Sequence, residues 1–266
     1  MLAPVPPSAE PIIDVSWFDL GLAAMLVLVA VAISAWQRIG LARGFVVGAI
    51  RAVVQLVLVG YVLVYLFAVD RWWLVLLALL VMLAAATKTS TDRVDAPRRV
   101  ILPITSTAML VGTGLTLVYV AAVVLQLENW HNPRYLIPLF GMITGNAMNG
   151  AALAAERLGS EMEARRAEVE AYLALGASPA RASADAVRRA LAAALIPSVN
   201  GLMVVGLVTL PGMMTGQILA GASPLLAVRY QIVVAFMLAG AVAATAAIVV
   251  LWYRKRFFTA AEQLRG

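Results

Sequence analysis

Long apolar stretches alternate with short polar ones along this chain, and the apolar stretches set its frame. Seven of them, at 18–36, 45–67, 72–87, 100–125, 135–155, 190–210 and 225–253, are long enough to cross a bilayer. A crossing needs about 20 mostly apolar residues in helical form, because hydrocarbon offers no partner to unpaired backbone N–H and C=O groups. The third stretch is short and the seventh long, which implies tilt or extension along the interface. The pattern predicts an all-α integral membrane protein, a polytopic bundle of about seven transmembrane helices forming a single domain over residues 1–266.

Composition agrees with the pattern. Of 266 residues, 63% are hydrophobic and 13% charged, with a mean hydropathy of +0.92, too little polar surface to cover a water-facing globule. The net charge of +6 would suit nucleic acid, but the basic residues are distributed otherwise. Sixteen of the twenty occupy alternate loops: Arg38 and Arg43; Lys88, Arg93, Arg98 and Arg99; six arginines within 156–189; then Arg254, Lys255, Arg256 and Arg265. The opposite loops hold Arg71 and Arg134. The positive-inside rule then puts the N-terminus outside and the C-terminus in the cytoplasm of a plasma (inner) membrane protein in contact with lipid. The start, "MLAPVPPSAEPIIDVSW", lacks the basic region of a cleaved signal, so the first span is expected to stay as an anchor.

The charges also limit the chemistry. All 14 Asp and Glu, from Glu10, Asp14 and Asp19 through Asp70 to Glu262, fall at span ends or in loops. Carriers driven by protons or sodium usually hold a carboxylate at bilayer depth, so the energy source is expected outside this chain. The only lysines, Lys88 and Lys255, follow no phosphate-binding glycine loop, and no H-E-x-x-H or G-x-S-x-G occurs, so no enzyme and no nucleotide site is expected. Without cysteine there is neither disulfide nor thiolate ligand. The sole histidine, His131, lies in the outer loop "ENWHNPR" beside Glu128; it reads as a solvated loop residue, with loose metal recruitment by the two as the alternative, and the sequence assigns no metal ligands.

The longest polar stretch, 156–189, reads "ERLGSEMEARRAEVEAYLALGASPARASADAVRR". Glu161 and Arg165 at i,i+4 and many alanines predict a helix. "GASP" at 176–179 ends it, and Ser178 caps a second helix that opens on Pro179. A helical hairpin of this kind can be pushed as one body. Its "EAYLALG", from Glu170 to Gly176, has the spacing of the E-A-A-x-x-x-G loop with which ABC transporter permeases dock on their ATPase, although Tyr172 replaces the second alanine and Pro197 lies further downstream than the usual proline. Glu170, Ala171, Gly176 and Ser178 are the coupling residues that this likeness implies.

With "RAVVQLVLVGYVL", "MITGNAMNGAALAAERL" and "LPGMMTGQILAG", the chain from about Arg51 to Phe258 resembles the FetB family, permease subunits of a bacterial iron-export ABC system. That resemblance implies a permease homodimer, a separate cytoplasmic ATPase (FetA-like) that binds the ATP, and an iron-export role in metal homeostasis and iron or oxidative stress. Rival readings are an ABC exporter of another solute, such as a nucleotide sugar or organic anion, and an ion-coupled carrier or channel working without an ATPase.

Polar residues within the spans complete the picture. Pro211 and Gly212 are expected to break the sixth span, so that 210–221 either dips back as an outer gate or packs as a short helix over the outer end of a dimer. In it Met213 and Met214 are flexible and polarizable, Thr215 and Gln217 can pair freed backbone groups, and Gly216 and Gly221 can act as hinges. Arg51 and Gln55 share a face of the second span, Asn146 and Asn149 of the fifth, and Asn200 lies in the sixth. Together they suggest a translocation surface, although Arg51 and Arg229 lie near span ends and read first as snorkelling to the interface. Gly141 and Gly145, spaced G-x-x-x-G, predict close helix packing.

Overall fold

A computed structural model describes residues 15–69 and 71–265. Glu10, Asp14 and Asp70 and most of the stretch that precedes the first span lie outside the described residues. Among the described residues ten α-helices follow one another: α1 (Trp17–Trp36), α2 (Ala42–Val69), α3 (Trp72–Thr91), α4 (Arg98–Tyr119), α5 (Pro133–Ala164), α6 (Arg166–Ala174), α7 (Pro179–Ala182), α8 (Ala184–Val204), α9 (Gly212–Leu219) and α10 (Pro224–Arg254). No strand occurs among the described residues, only two isolated bridges. Among the described residues seven helices are long and apolar enough to cross a membrane, and each coincides with one of the seven apolar stretches.

The chain divides into two compact units, residues up to 70 with 219–221 and residues 71–218 with 222–266. In the first, α1 opens on a capping box: the Asp19 N–H donates to Ser16 Oγ at 3.3 Å, and Asp19 Oδ2 accepts from the Ser16 N–H at 2.9 Å. The turn into α2 is held by Ser34, whose Oγ accepts from the Leu41 N–H at 3.1 Å. Within α1 and α2 only Ser34 and Leu66 are buried. That leaves two largely apolar cylinders, as hydrocarbon permits, with Arg51 and Gln55 on the surface of the second.

In the second unit α10 packs most extensively on α5, then on α4 and α8. The core is rich in small residues, with Ala147, Ala151, Ala154, Ala190, Ala194 and Ala246 buried beside Ile101, Met109, Ile143 and Val249. Small side chains let helix backbones approach where no hydrophobic force drives them together. The closest approaches are not at Gly141 and Gly145. A Cβ on Gly112 of α4 would fall inside Thr245 of α10, 3.0 Å from its backbone N, and one on Gly150 of α5 would lie 2.7 Å from Val242 Cγ1. Gly141 faces only the end of Met82, and Gly145 has open space. The α3–α4 contact carries a buried hydroxyl pair, Thr91 with Thr105 at 2.8 Å.

Two boundaries differ from the sequence reading. The fifth span does not stop near 155 but runs on to Ala164; at 32 residues α5 is about 48 Å long against about 30 Å of hydrocarbon, so its end projects beyond the membrane. The sixth span ends at Val204, not at Leu210. Its stop is Gly206, at φ +84°, whose N–H donates to the Thr209 carbonyl at 2.9 Å. Pro211 therefore opens α9 instead of breaking α8.

Candidate functional site

The hairpin at 156–189 is built from the end of α5, then α6, α7 and the start of α8. Arg165, at φ −108° and ψ 19°, separates α5 from α6. At the other end of α6 the chain turns on Gly176, at φ +83°. The Ala177 N–H donates to the Tyr172 carbonyl and the Gly176 N–H to the Leu173 carbonyl, both at 2.9 Å. This pairing is a Schellman closure, which glycine enters without the Cβ penalty of other residues. Ser178 then caps α7, its Oγ accepting from the Arg181 N–H at 3.4 Å.

Val169 on the inner face of α6 is buried in the core cluster with Met162, Ala182 and Ala186, which seats the arm. The outer face is exposed and mixed. Glu170 accepts from Arg166 Nε at 3.1 Å, Ala171 and Gly176 are open, and Tyr172 and Leu175 present apolar surface, Leu175 at 85% exposure. At the base stands Glu161. Its side chain is 9% exposed, and its carboxylate lies 2.6 Å from Arg157, 3.4 Å from Arg165 and 3.8 Å from Arg189. Arg165 reaches on to Glu168 and Asp185, so charge pairs link α5, α6 and α8. The sequence offered only the Glu161–Arg165 spacing as a sign of this cluster.

Asp92, just past α3, pairs with Lys88 at 3.0 Å and with Arg98. The hydrogen bonds from Arg98 and then Lys88 hold its carboxyl below the usual carboxylate range. The neighbouring Arg93 takes a different partner: its Nη1 donates to Oδ1 of Asn149 on α5 at 2.7 Å. Asn149 and Asn146 line one cleft of about 150 Å³ with Gly150 and Leu153 of α5, Ala194, Pro197 and Ser198 of α8, and Val242 of α10. Pro197 has no N–H, so the Ala193 carbonyl loses its helical donor beside this cleft. Asn146 donates from Nδ2 to the Met142 carbonyl at 2.9 Å. Arg93, Pro197 and Ser198 join the two asparagines only through the fold, because they come from separate helices and loops.

Asn200 is exposed further along α8 and does not line this cleft. Arg51 and Gln55 lie exposed on one face of α2, in the first unit. Arg51 is nine residues into that helix, about 14 Å from its start. Met213, Met214, Thr215 and Gln217 all belong to α9. Thr215 Oγ1 donates to the Pro211 carbonyl at 3.2 Å, whereas Oε1 of Gln217 is buried with no partner among the described residues. Gly216 is helical, and Gly221, at φ +90°, ends the segment. His131 packs edge-on against Trp130 at 5.4 Å.

Comparison with known proteins places this architecture. The model of the uncharacterised protein family UPF0014 matches residues 17–258. The UPF0014 membrane protein slr1647 of Synechocystis is 41% identical over 85% of this chain and 88% of its own length. The probable iron export permease protein FetB of Escherichia coli is 38% identical over 92% and 93%. Protein ALUMINUM SENSITIVE 3 of Arabidopsis thaliana is 35% identical over 91% and 88%. No solved structure shows a significant match. With a family model covering nearly all the described helices and such relatives along most of its length, this multi-pass membrane chain belongs to the UPF0014 family.

Proposed function

We propose that this chain is the permease subunit of an ABC exporter, a transport protein without catalytic chemistry of its own, which pairs with a second copy and is driven by a separate ATPase that binds the ATP. Its N-terminus lies outside and its basic loops, with the hairpin and the C-terminus, lie in the cytoplasm. The observation that carries this reading is the hairpin. α6 is closed by a Schellman turn at Gly176, exposes Tyr172 and Leu175, and is tied through Glu161 and Arg165 to the ends of two spanning helices. Such an arm, pushed at its tip, moves α5 and α8 together, and these helices line the cleft at Asn146 and Asn149. α9, between α8 and α10, is the candidate outer gate, with Met213, Met214, Thr215 and Gln217 on it. Iron is the proposed cargo, by likeness to the Escherichia coli relative named as a probable iron export permease.

The test is to co-express the chain with an ABC ATPase subunit of the same organism, purify the complex and reconstitute it in liposomes. ATP turnover stimulated by cargo, with cargo moving only when ATP is present, is the expected result. Uphill transport by the permease alone, or failure of any ATPase subunit to associate with it, overturns the reading.

A further inference from the structure

The polarity of the cleft between α5, α8 and α10 indicates what it takes. Asn146 spends its Nδ2 on the Met142 carbonyl, so it offers Oδ1, an acceptor. Asn149 spends its Oδ1 on Arg93, so it offers Nδ2, a donor. Ser198 makes no hydrogen bond among the described residues and can serve either way. Arg93 pairs with no carboxylate among the described residues, and its fork of donors has room beyond the single bond to Asn149. No charged residue lines the cleft itself, and the charge that touches its lining, through Asn149, is positive. A bare metal cation would meet a like charge there, and no cluster of three His, Cys, Asp or Glu among the described residues could hold one. An anionic oxygen group meets donors instead, and a hydroxyl beside it meets the Asn146 acceptor.

We propose that this cleft binds a small hydroxy-carboxylate, its carboxylate against Arg93 and the Asn149 amide and its hydroxyl against Asn146 Oδ1. Resting on the exporter reading above, the inference names its substrate class: a metal carried by this protein leaves as a complex with such an acid and not as a naked ion.

The experiment titrates the purified full-length permease in lipid nanodiscs by calorimetry with citrate, ferric citrate, tricarballylate (citrate without its hydroxyl), inorganic phosphate and ferrous sulfate. Citrate and ferric citrate bind, and tricarballylate binds about tenfold more weakly, the difference of one satisfied hydrogen bond. Arg93→Gln weakens citrate about tenfold or more, and Arg93→Lys recovers part of that loss. Asn146→Leu removes the preference for citrate over tricarballylate, a readout that a merely structural defect would not produce. Ferrous ion bound by the wild type while citrate is not, phosphate bound in place of citrate, or citrate affinity unchanged in Arg93→Gln would each overturn the proposal. Co-purification of an ATPase subunit is scored separately. Citrate binding without an ATPase leaves the cleft assignment standing and removes the exporter reading, and an ATPase partner without citrate binding does the reverse.

Discussion

Glu161 of α5 and Arg189 of α8 face each other across the root of the hairpin, Oε2 to Nε at 3.8 Å. Neither residue is near the other in sequence, and each belongs to a helix that continues into a membrane span. With Arg165 and Asp185 at 3.7 Å, the pair joins the two arms of the hairpin electrostatically.

Because the Glu161 carboxylate is nearly buried and serves Arg157, Arg165 and Arg189 together, its removal leaves three cations crowded around a neutral group. The arginines are partly exposed, so the loss falls between that of surface and buried pairs. Glu161→Gln is expected to cost about 2 kcal/mol. Arg189→Gln, which leaves Glu161 two partners, costs less. Thermal unfolding of the purified variants measures both, and equal midpoints for Glu161→Gln and wild type would contradict the clasp.

Helix packing in the second unit gives a paired prediction. Gly112→Ala must force α4 and α10 apart, since the added carbon meets backbone of Thr245, and about 1–3 kcal/mol is the usual penalty for overpacking. Gly145→Ala meets nothing within 4 Å and gains helix propensity, so it is neutral or stabilising by up to about 1 kcal/mol. Comparing the two melting temperatures in one detergent separates steric from propensity effects.

These two glycines also show where sequence reading succeeds and stops. The seven spans are legible because each is a local run of apolar residues whose length is imposed by the bilayer, and each helix lies where its run does. The Gly176 turn and the Ser178 cap are legible for the same reason: their partners lie within a few residues. Which glycine meets which helix depends on contacts far apart in the chain, so of the Gly141–Gly145 pattern only Gly141 meets a neighbour, Met82, and Gly112 carried no local sign. The candidate cleft divides in the same way. Asn146 and Asn149 announce themselves as polar residues in an apolar run, but Arg93 reaches Asn149 from 56 residues away.

The α3–α4 turn should respond to acid. Asp92 is held below the ordinary carboxylate range by Arg98 and Lys88. A depressed folded value means that its contribution is fully present above the unfolded value of about 3.9 and is lost as pH falls through the folded value. The melting temperatures of wild type and Asp92→Asn should therefore differ at pH 7, hold that difference down to about pH 5, and converge below about pH 4. A difference that persists undiminished at the lowest pH would show that the ion pairs are not its source.

Gly176 occupies a backbone region where a β-carbon costs about 1–2 kcal/mol. Gly176→Val should open the Schellman turn, release the end of α6 and lower cargo-stimulated ATP turnover in the reconstituted complex, while the spans keep their stability because they lie elsewhere. Gly176→Asn, a residue that tolerates this conformation, should retain most of the coupling. Limited proteolysis between 170 and 180 reports the opening directly: faster cleavage in the valine variant than in the asparagine variant is the expected order.

Leu175, which caps the end of α6, is 85% exposed, with Tyr172 half-exposed on the same arm, so no described residue covers Leu175. An apolar tip on a rigid arm is stable in water only at the expense of its hydration, so a partner that buries it gains about 25 cal/mol for each square ångström removed from solvent. Leu175→Asp places a charge in that contact and should weaken ATPase association about tenfold or more, since a buried unpaired carboxylate must be desolvated. Leu175→Met, similar in volume and polarity, should be silent. Neither substitution touches the membrane core, so the variants should fold and melt alike, and the measurement is the affinity of the purified ATPase for permease in nanodiscs. If Leu175→Asp binds as tightly as Leu175→Met, the tip is not the docking surface, and the push on α5 and α8 must enter at another point of the cytoplasmic face.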